Sequence, residues 1–167
     1  AEAELIVLSH ARHYGVEMLP FQSAQGRILA ENVAADRDLP PYDRVTMDGI
    51  AIRYADYEAG CRHFTISAIQ AAGDAPVSEL AANACIEIMT GAALSTAADT
   101  VIPYEHLNIS EGIAHLVQAP LEPGRNIHRQ GKDRRRGEVV MSAGRIIGAP
   151  EISMAASVGK SDLQVRK

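Results

Sequence analysis

Apolar residues recur at helical spacing near the N-terminus. Leu5, Leu8 and Ala11–Arg12 fall on one repeat, which predicts a helix over 2–14 with Gly15 as its stop. A second short helix is expected over about 22–30, through Ala24, Ile28 and Leu29. From Tyr42 to Met141 the pattern changes to short apolar runs separated by turn residues. Ile50-Ala51-Ile52, Thr65–Ile69 and Cys85–Met89 read as strands. Residues 105–109 and 113–117 flank Ser110-Glu111-Gly112, which predicts a hairpin with a three-residue turn. Residues 138–141 and 145–147 flank Ser142-Ala143-Gly144 in the same way. Pro150 suits a helix N1 position and Gly159 a stop, so 150–158 should be helical. Asp162 to Val165 follows as a last strand.

Helices, then many strands, then one helix and a strand make an α+β, β-rich order. The regular alternation that builds a parallel sheet is missing. The expected organisation is an elongated domain of two discontinuous segments, 1–38 and 134–167, with a small β-barrel-like domain inserted over 39–133. A chain of 167 residues buries roughly 70% of its unfolded surface. Aromatics make up only 4% and Trp is absent, so Ile, Val, Leu, Met and Ala must fill the core.

No apolar run approaches the roughly 20 residues of a membrane-spanning helix, and the N-terminus lacks signal-peptide character. Cys61 and Cys85 match no spaced metal or redox motif. They read as reduced thiols of a cytoplasmic protein. His10 and His13 share a helix face but have no third ligand in view, so no metal site is expected.

Charge is unevenly spread. Arg125, Arg129, Lys132, Arg134, Arg135 and Arg136 are opposed locally only by Asp133, in a chain of formal net charge −5. Arg suits bidentate contact with phosphate or an oxyanion, which makes this a candidate anion site. A solvated basic loop is the plainer alternative. Nucleic acid fits poorly, because the patch is short, lacks interleaved aromatics and belongs to an acidic protein.

The densest chemical signal is Leu39-Pro40-Pro41-Tyr42-Asp43-Arg44-Val45-Thr46-Met47-Asp48-Gly49-Ile50-Ala51. The prolines set an extended entry, and Asp48-Gly49 reads as a tight turn with glycine at φ > 0. A carboxylate would then stand at a turn between rigid flanks, either as a functional group or as a plain Asx-turn. The stretch resembles the Pro-x-Phe-Asp-x-Ser-x-Met-Asp-Gly-Tyr-Ala signature of the MoeA/gephyrin family of molybdopterin molybdenumtransferases. Thr90-Gly91-Ala92, followed by Ala98-Asp99-Thr100-Val101 and Glu105, is similar to a second block of that family. Gly124-Arg125-Asn126-Ile127 through Gly131-Lys132-Asp133 is similar to a third, and 137–159 to a fourth. The four occur in family order.

The resemblance implies an enzyme that acts on adenylylated molybdopterin and molybdate with Mg²⁺, and a homodimer. It marks Asp48 and Thr90 as catalytic. It marks Met47, Gly49, Gly91, Ala92, Arg125, Arg129 and Asp133 as binding residues. The Thr90 hydroxyl and the Gly91 N–H would donate to an oxyanion. Family members continue into further domains, so the chain is expected to be an N-terminal part, inactive alone and without bound cofactor. Arg44, Val45, Ile50, Ser95, Ala97 and Lys132 depart from the family pattern. A non-catalytic dimerising scaffold or binding paralogue on the same fold therefore stays open, as does an unrelated anion-binding module.

Overall fold

The computed structural model describes residues 2–10 and 12–167. In chain order its elements are α1 (Glu2–Ser9), β1 (Val16–Pro20), β2 (Val33–Ala34), β3 (Arg44–Val45), β4 (Gly49–Ile52), α2 (Tyr54–Glu58), β5 (His63–Gln70), β6 (Ala84–Ile88), β7 (Thr100–Pro103), β8 (Leu107–Ser110), β9 (Ile113–Leu116), β10 (Ile127–His128), β11 (Val139–Met141), α3 (Ala149–Ser157) and β12 (Asp162–Arg166). They fall into two compact units, Ala1–Arg37 with Arg134–Lys167, and Asp38–Asp133.

In the first unit, β1 and β12 pair antiparallel from Val16↔Arg166 to Pro20↔Asp162. Leu163 and Val165 of β12 are fully buried. The predicted 2–14 helix is shorter, ending at Ser9. Its Ala11 position lies outside the described residues. The Ser9 Oγ and the His10 Nδ1 both turn back to the Ile6 carbonyl at 2.8 Å, capping the last turn.

The predicted 22–30 helix does not form. Only Phe21–Ser23 make a 3₁₀ turn. Gly26 then takes φ +79°, and the chain runs extended through Leu29. Here tertiary pairing wins over local pattern. Leu29 N–H bonds the Arg145 carbonyl, Ala30 N–H bonds Gln164, and Arg166 N–H bonds Ile28. The expected 138–147 hairpin is likewise replaced. β11 pairs with β2, and Ile146 pairs with Ile28. α3 matches its prediction; Glu151 accepts the Gly148 N–H at 3.0 Å, and Gly159 at φ +75° ends it.

The second unit is built on a curled, half-barrel sheet of six strands in the order β7-β4-β6-β5-β9-β8. Only β5 and β6 run parallel. Alternation along β4 explains its wholly apolar sequence. Ala51 faces a cluster with Ile86, Ile88 and Val101, while Ile50 and Ile52 face another with Phe64, Cys85 and Ile102. The β8–β9 hairpin turns on two residues rather than three, since Ser110 pairs with Ile113. Glu111 and Gly112 both adopt left-handed backbone, at φ 52° and 74°. At the ends of this unit, Asp133 N–H donates to the Leu39 carbonyl at 2.9 Å and Gly131 N–H to Pro40 at 3.0 Å.

Candidate active site

β3 organises the site. On one side it pairs with β10, as Val45↔Ile127 and Arg44↔His128. On the other it meets the loop after β6: Val45 N–H donates to Ala92, Gly91 N–H donates to Val45, and Leu94 N–H donates to Asp43. Residues 43–48, 89–94 and 124–130 are thus woven together by backbone bonds. Three of the four sequence blocks meet at one buried residue, Val45.

Asp48 and Thr90 come into direct contact. The Thr90 backbone N–H donates to Asp48 Oδ1 at 2.6 Å. That bond first, and the Thr90 hydroxyl second, hold the exposed Asp48 carboxyl below its usual range. Gly49 does not supply a left-handed turn as its sequence suggests. It opens β4, and a Cβ there would stand 2.0 Å from the Ile102 carbonyl oxygen. Glycine is required for close approach of two strands. Met47 is exposed beside the carboxylate.

Gly91 takes φ +90°, and its N–H is spent on the Val45 carbonyl at 2.9 Å. It is therefore not the oxyanion donor expected from sequence. Ala92 is buried and serves as framework. A shallow depression of about 300 Å³ remains, lined by Arg44, Val45, Thr46, Thr90 and Gly91.

The basic residues lie elsewhere on the weave. Arg129 donates to Asp43 Oδ2 at 2.5 Å, and Gln130 N–H to Oδ1 at 2.8 Å. Burial pushes the Asp43 carboxyl up, but these two donors outweigh it and hold the group below its usual range. They wall a second cavity of about 490 Å³ with Tyr42, Ser95 and Asp99. Asp133 accepts from His128 Nε2 at 2.8 Å. Arg125 is exposed and makes no ion pair among the described residues. Arg134 belongs to the first unit.

Sequence reasoning missed Glu87 and Tyr104. The Tyr104 hydroxyl donates to Glu87 Oε1 at 2.5 Å, and Tyr104 N–H donates to the Asp48 carbonyl at 3.1 Å. Burial pushes the Tyr104 phenol up to about 12, helped by Glu87 and by the charge of Asp48. A usable signal existed: Glu87 is a lone charge inside an apolar strand. Gln70, buried, was also missed. Its Nε2 donates to the Ala93 carbonyl at 2.6 Å and its Oε1 accepts from Val77 N–H at 3.0 Å, fixing the loop that carries Thr90.

The family model for the MoeA N-terminal region (domain I and II) matches residues 1–159. The chain belongs to this family. It is 35% identical over its whole length to a molybdopterin molybdenumtransferase of Synechocystis sp., covering 43% of that protein. A Haemophilus influenzae protein of the same name is 29% identical over 96% of the chain, which covers 42% of it. A crystal structure of a molybdopterin biosynthesis MoeA protein from Pyrococcus horikoshii OT3 superposes with a TM-score of 0.89 at 29% identity. That match covers 99% of this chain and 45% of the other. The chain thus spans less than half the length of these MoeA relatives.

The family resemblance implies Mg²⁺, which needs several oxygen donors gathered in one place. Among the described residues no group of three or more His, Cys, Asp or Glu could hold a metal. Asp48 offers one carboxylate, while Glu87 is tied to Tyr104. The described residues do not form a magnesium site by themselves.

Proposed function

We propose that this MoeA N-terminal region contributes Asp48 and Thr90 to a molybdopterin molybdenumtransferase active site, in a protein that carries the further domains of its relatives. The single observation carrying the reading is the Asp48–Thr90 contact, which joins two distant blocks of the family pattern. Asp48 is exposed and ionised, with Oδ1 bonded to the Thr90 N–H. It can order water beside an anionic substrate. Thr46 and Arg44 line the depression that Thr90 also borders, and can donate to the oxygens of a phosphate or of molybdate as substrate. Adenylylated molybdopterin is the proposed organic substrate. Mg²⁺ is a proposed component of the whole enzyme, with ligands the described residues do not assemble. The isolated chain should be inactive, because the depression beside Thr90 is one shallow wall of the proposed site.

A homodimer in a cytoplasmic setting is part of the same reading. It is supported by the exposed apolar side chains of the first unit and by two unpaired thiols. The scaffold alternative draws on a different observation. Arg44 and Val45, two departures from the family pattern, line the depression itself. Molybdenum insertion assayed in the protein carrying this region decides between them. Asp48→Asn and Thr90→Ala should each lower turnover more than tenfold with the fold unchanged. Full turnover in both variants would remove the site. No turnover in the wild type, with dimerisation intact, would favour the scaffold.

A further inference from the structure

On the far strands of the second unit, His63 of β5 stands directly opposite His115 of β9. Their Nδ1 atoms are 2.8 Å apart, and the rings meet edge to face with centroids 4.8 Å apart. We propose that this pair is a cross-strand clip for a dication of the tetragonal, imidazole-favouring class, copper(II) or nickel(II).

The geometry carries the assignment. Two neutral imidazoles at this separation share one proton, one nitrogen donating and the other accepting. A metal ion bound to both Nδ1 atoms sits to one side of the line between them, and the shared proton moves to the Nε2 of its own ring. With metal–nitrogen bonds of about 2.0 Å, two ligands at a right angle stand about 2.8 Å apart, which is the observed spacing. Tetrahedral zinc needs about 3.3 Å, so it requires the strands to give.

The surroundings agree. Ser110 Oγ lies 3.4 Å from His115 Nε2, on the outer side of the ring. A proton held on Nε2 by that hydroxyl leaves Nδ1 as the ligating atom, the usual way an outer partner sets a histidine tautomer. The neighbouring cation is turned away. Arg62 donates to the Tyr57 and Cys61 carbonyls, and its guanidinium sits 4.0 Å from the Tyr57 ring centre. The next position in the row, across β8, is the neutral Asn108. Water completes the coordination, since the row is open to solvent.

The whole chain, carrying His10→Gln and His13→Gln to remove the other closely spaced pair, is titrated with copper(II) chloride at pH 7.5. Electron paramagnetic resonance should show one equivalent of copper coupled to two nitrogens. His63→Gln or His115→Gln should each weaken binding by more than about tenfold, the loss that outer partners alone can cause. Circular dichroism checks that both variants fold. Zinc chloride should bind more weakly than copper. A spectrum without two-nitrogen coupling, or unchanged affinity in either folded variant, would overturn the clip. Zinc binding as tight as copper would overturn its geometry.

Discussion

Asp48 is held ionised by a donor from another segment, and that predicts its titration. Its folded pKa is depressed, so the Asp48–Thr90 link is fully present above the ordinary carboxylate pKa. It is lost only as pH falls through the lowered folded value. Carbon-detected NMR of the Asp48 carboxyl should report a midpoint below 3.8. Thr90→Val removes the hydroxyl but keeps the N–H, so the midpoint should rise part of the way; no movement would deny the hydroxyl its role. Gly49→Ala places a Cβ against the Ile102 carbonyl, a backbone atom that cannot swing aside. It should cost about 3 kcal/mol or more in urea unfolding of the chain. At this scale the sequence was legible where it named residue types in order: Asp48, Thr90 and Asp133 each have a defined partner. It misled where a glycine has two possible uses. Gly49 answers a close approach between strands, and that requirement is visible only once β7 lies beside β4.

At the level of elements, local periodicity was readable wherever the chain satisfies its own backbone. α3 and the β8–β9 hairpin formed about where the pattern put them. The 22–30 segment failed as a helix because its backbone groups bond to β12 and to 144–147, partners more than a hundred residues away. No local rule contains that information. β1 was missed for the same reason, since its pairing partner is the last strand. The Thr90 loop depends on one buried side chain in a comparable way. Gln70→Leu leaves the Ala93 carbonyl and the Val77 N–H without partners, at about 1–3 kcal/mol each. Hydrogen exchange at Val77 and across 89–93 should quicken by more than tenfold, while exchange in β4 should change little. Cys85, in the same core, has its thiol pushed up to about 12, chiefly by burial. It should resist iodoacetamide at pH 8 while Cys61 reacts.

For the whole molecule, exposed apolar side chains bear on assembly. Leu5, Val16, Met18, Ile28, Ile146 and Met154 of the first unit are exposed, whereas Leu29 and Ile147 of the same unit are buried. The proposed dimer would cover such side chains about a two-fold axis. Light scattering on a dilution series should give twice the chain mass at tens of micromolar. Met18→Asp with Ile146→Asp should shift the mass to that of one chain; a monomeric wild type would sink the dimer. The two hydrogen bonds that tie Leu39 to Asp133 and Pro40 to Gly131 carry a different consequence. Because the entry and exit of the second unit are stitched to each other, their separation is about 5 Å, the spacing of paired strands. Joining Arg37 to Arg134 through a linker of about two residues should therefore excise the unit, and loss of folded circular dichroism in what remains would deny that it is detachable. Insertion and loss of such units is a route by which one chain exchanges a recognition surface while leaving its host untouched.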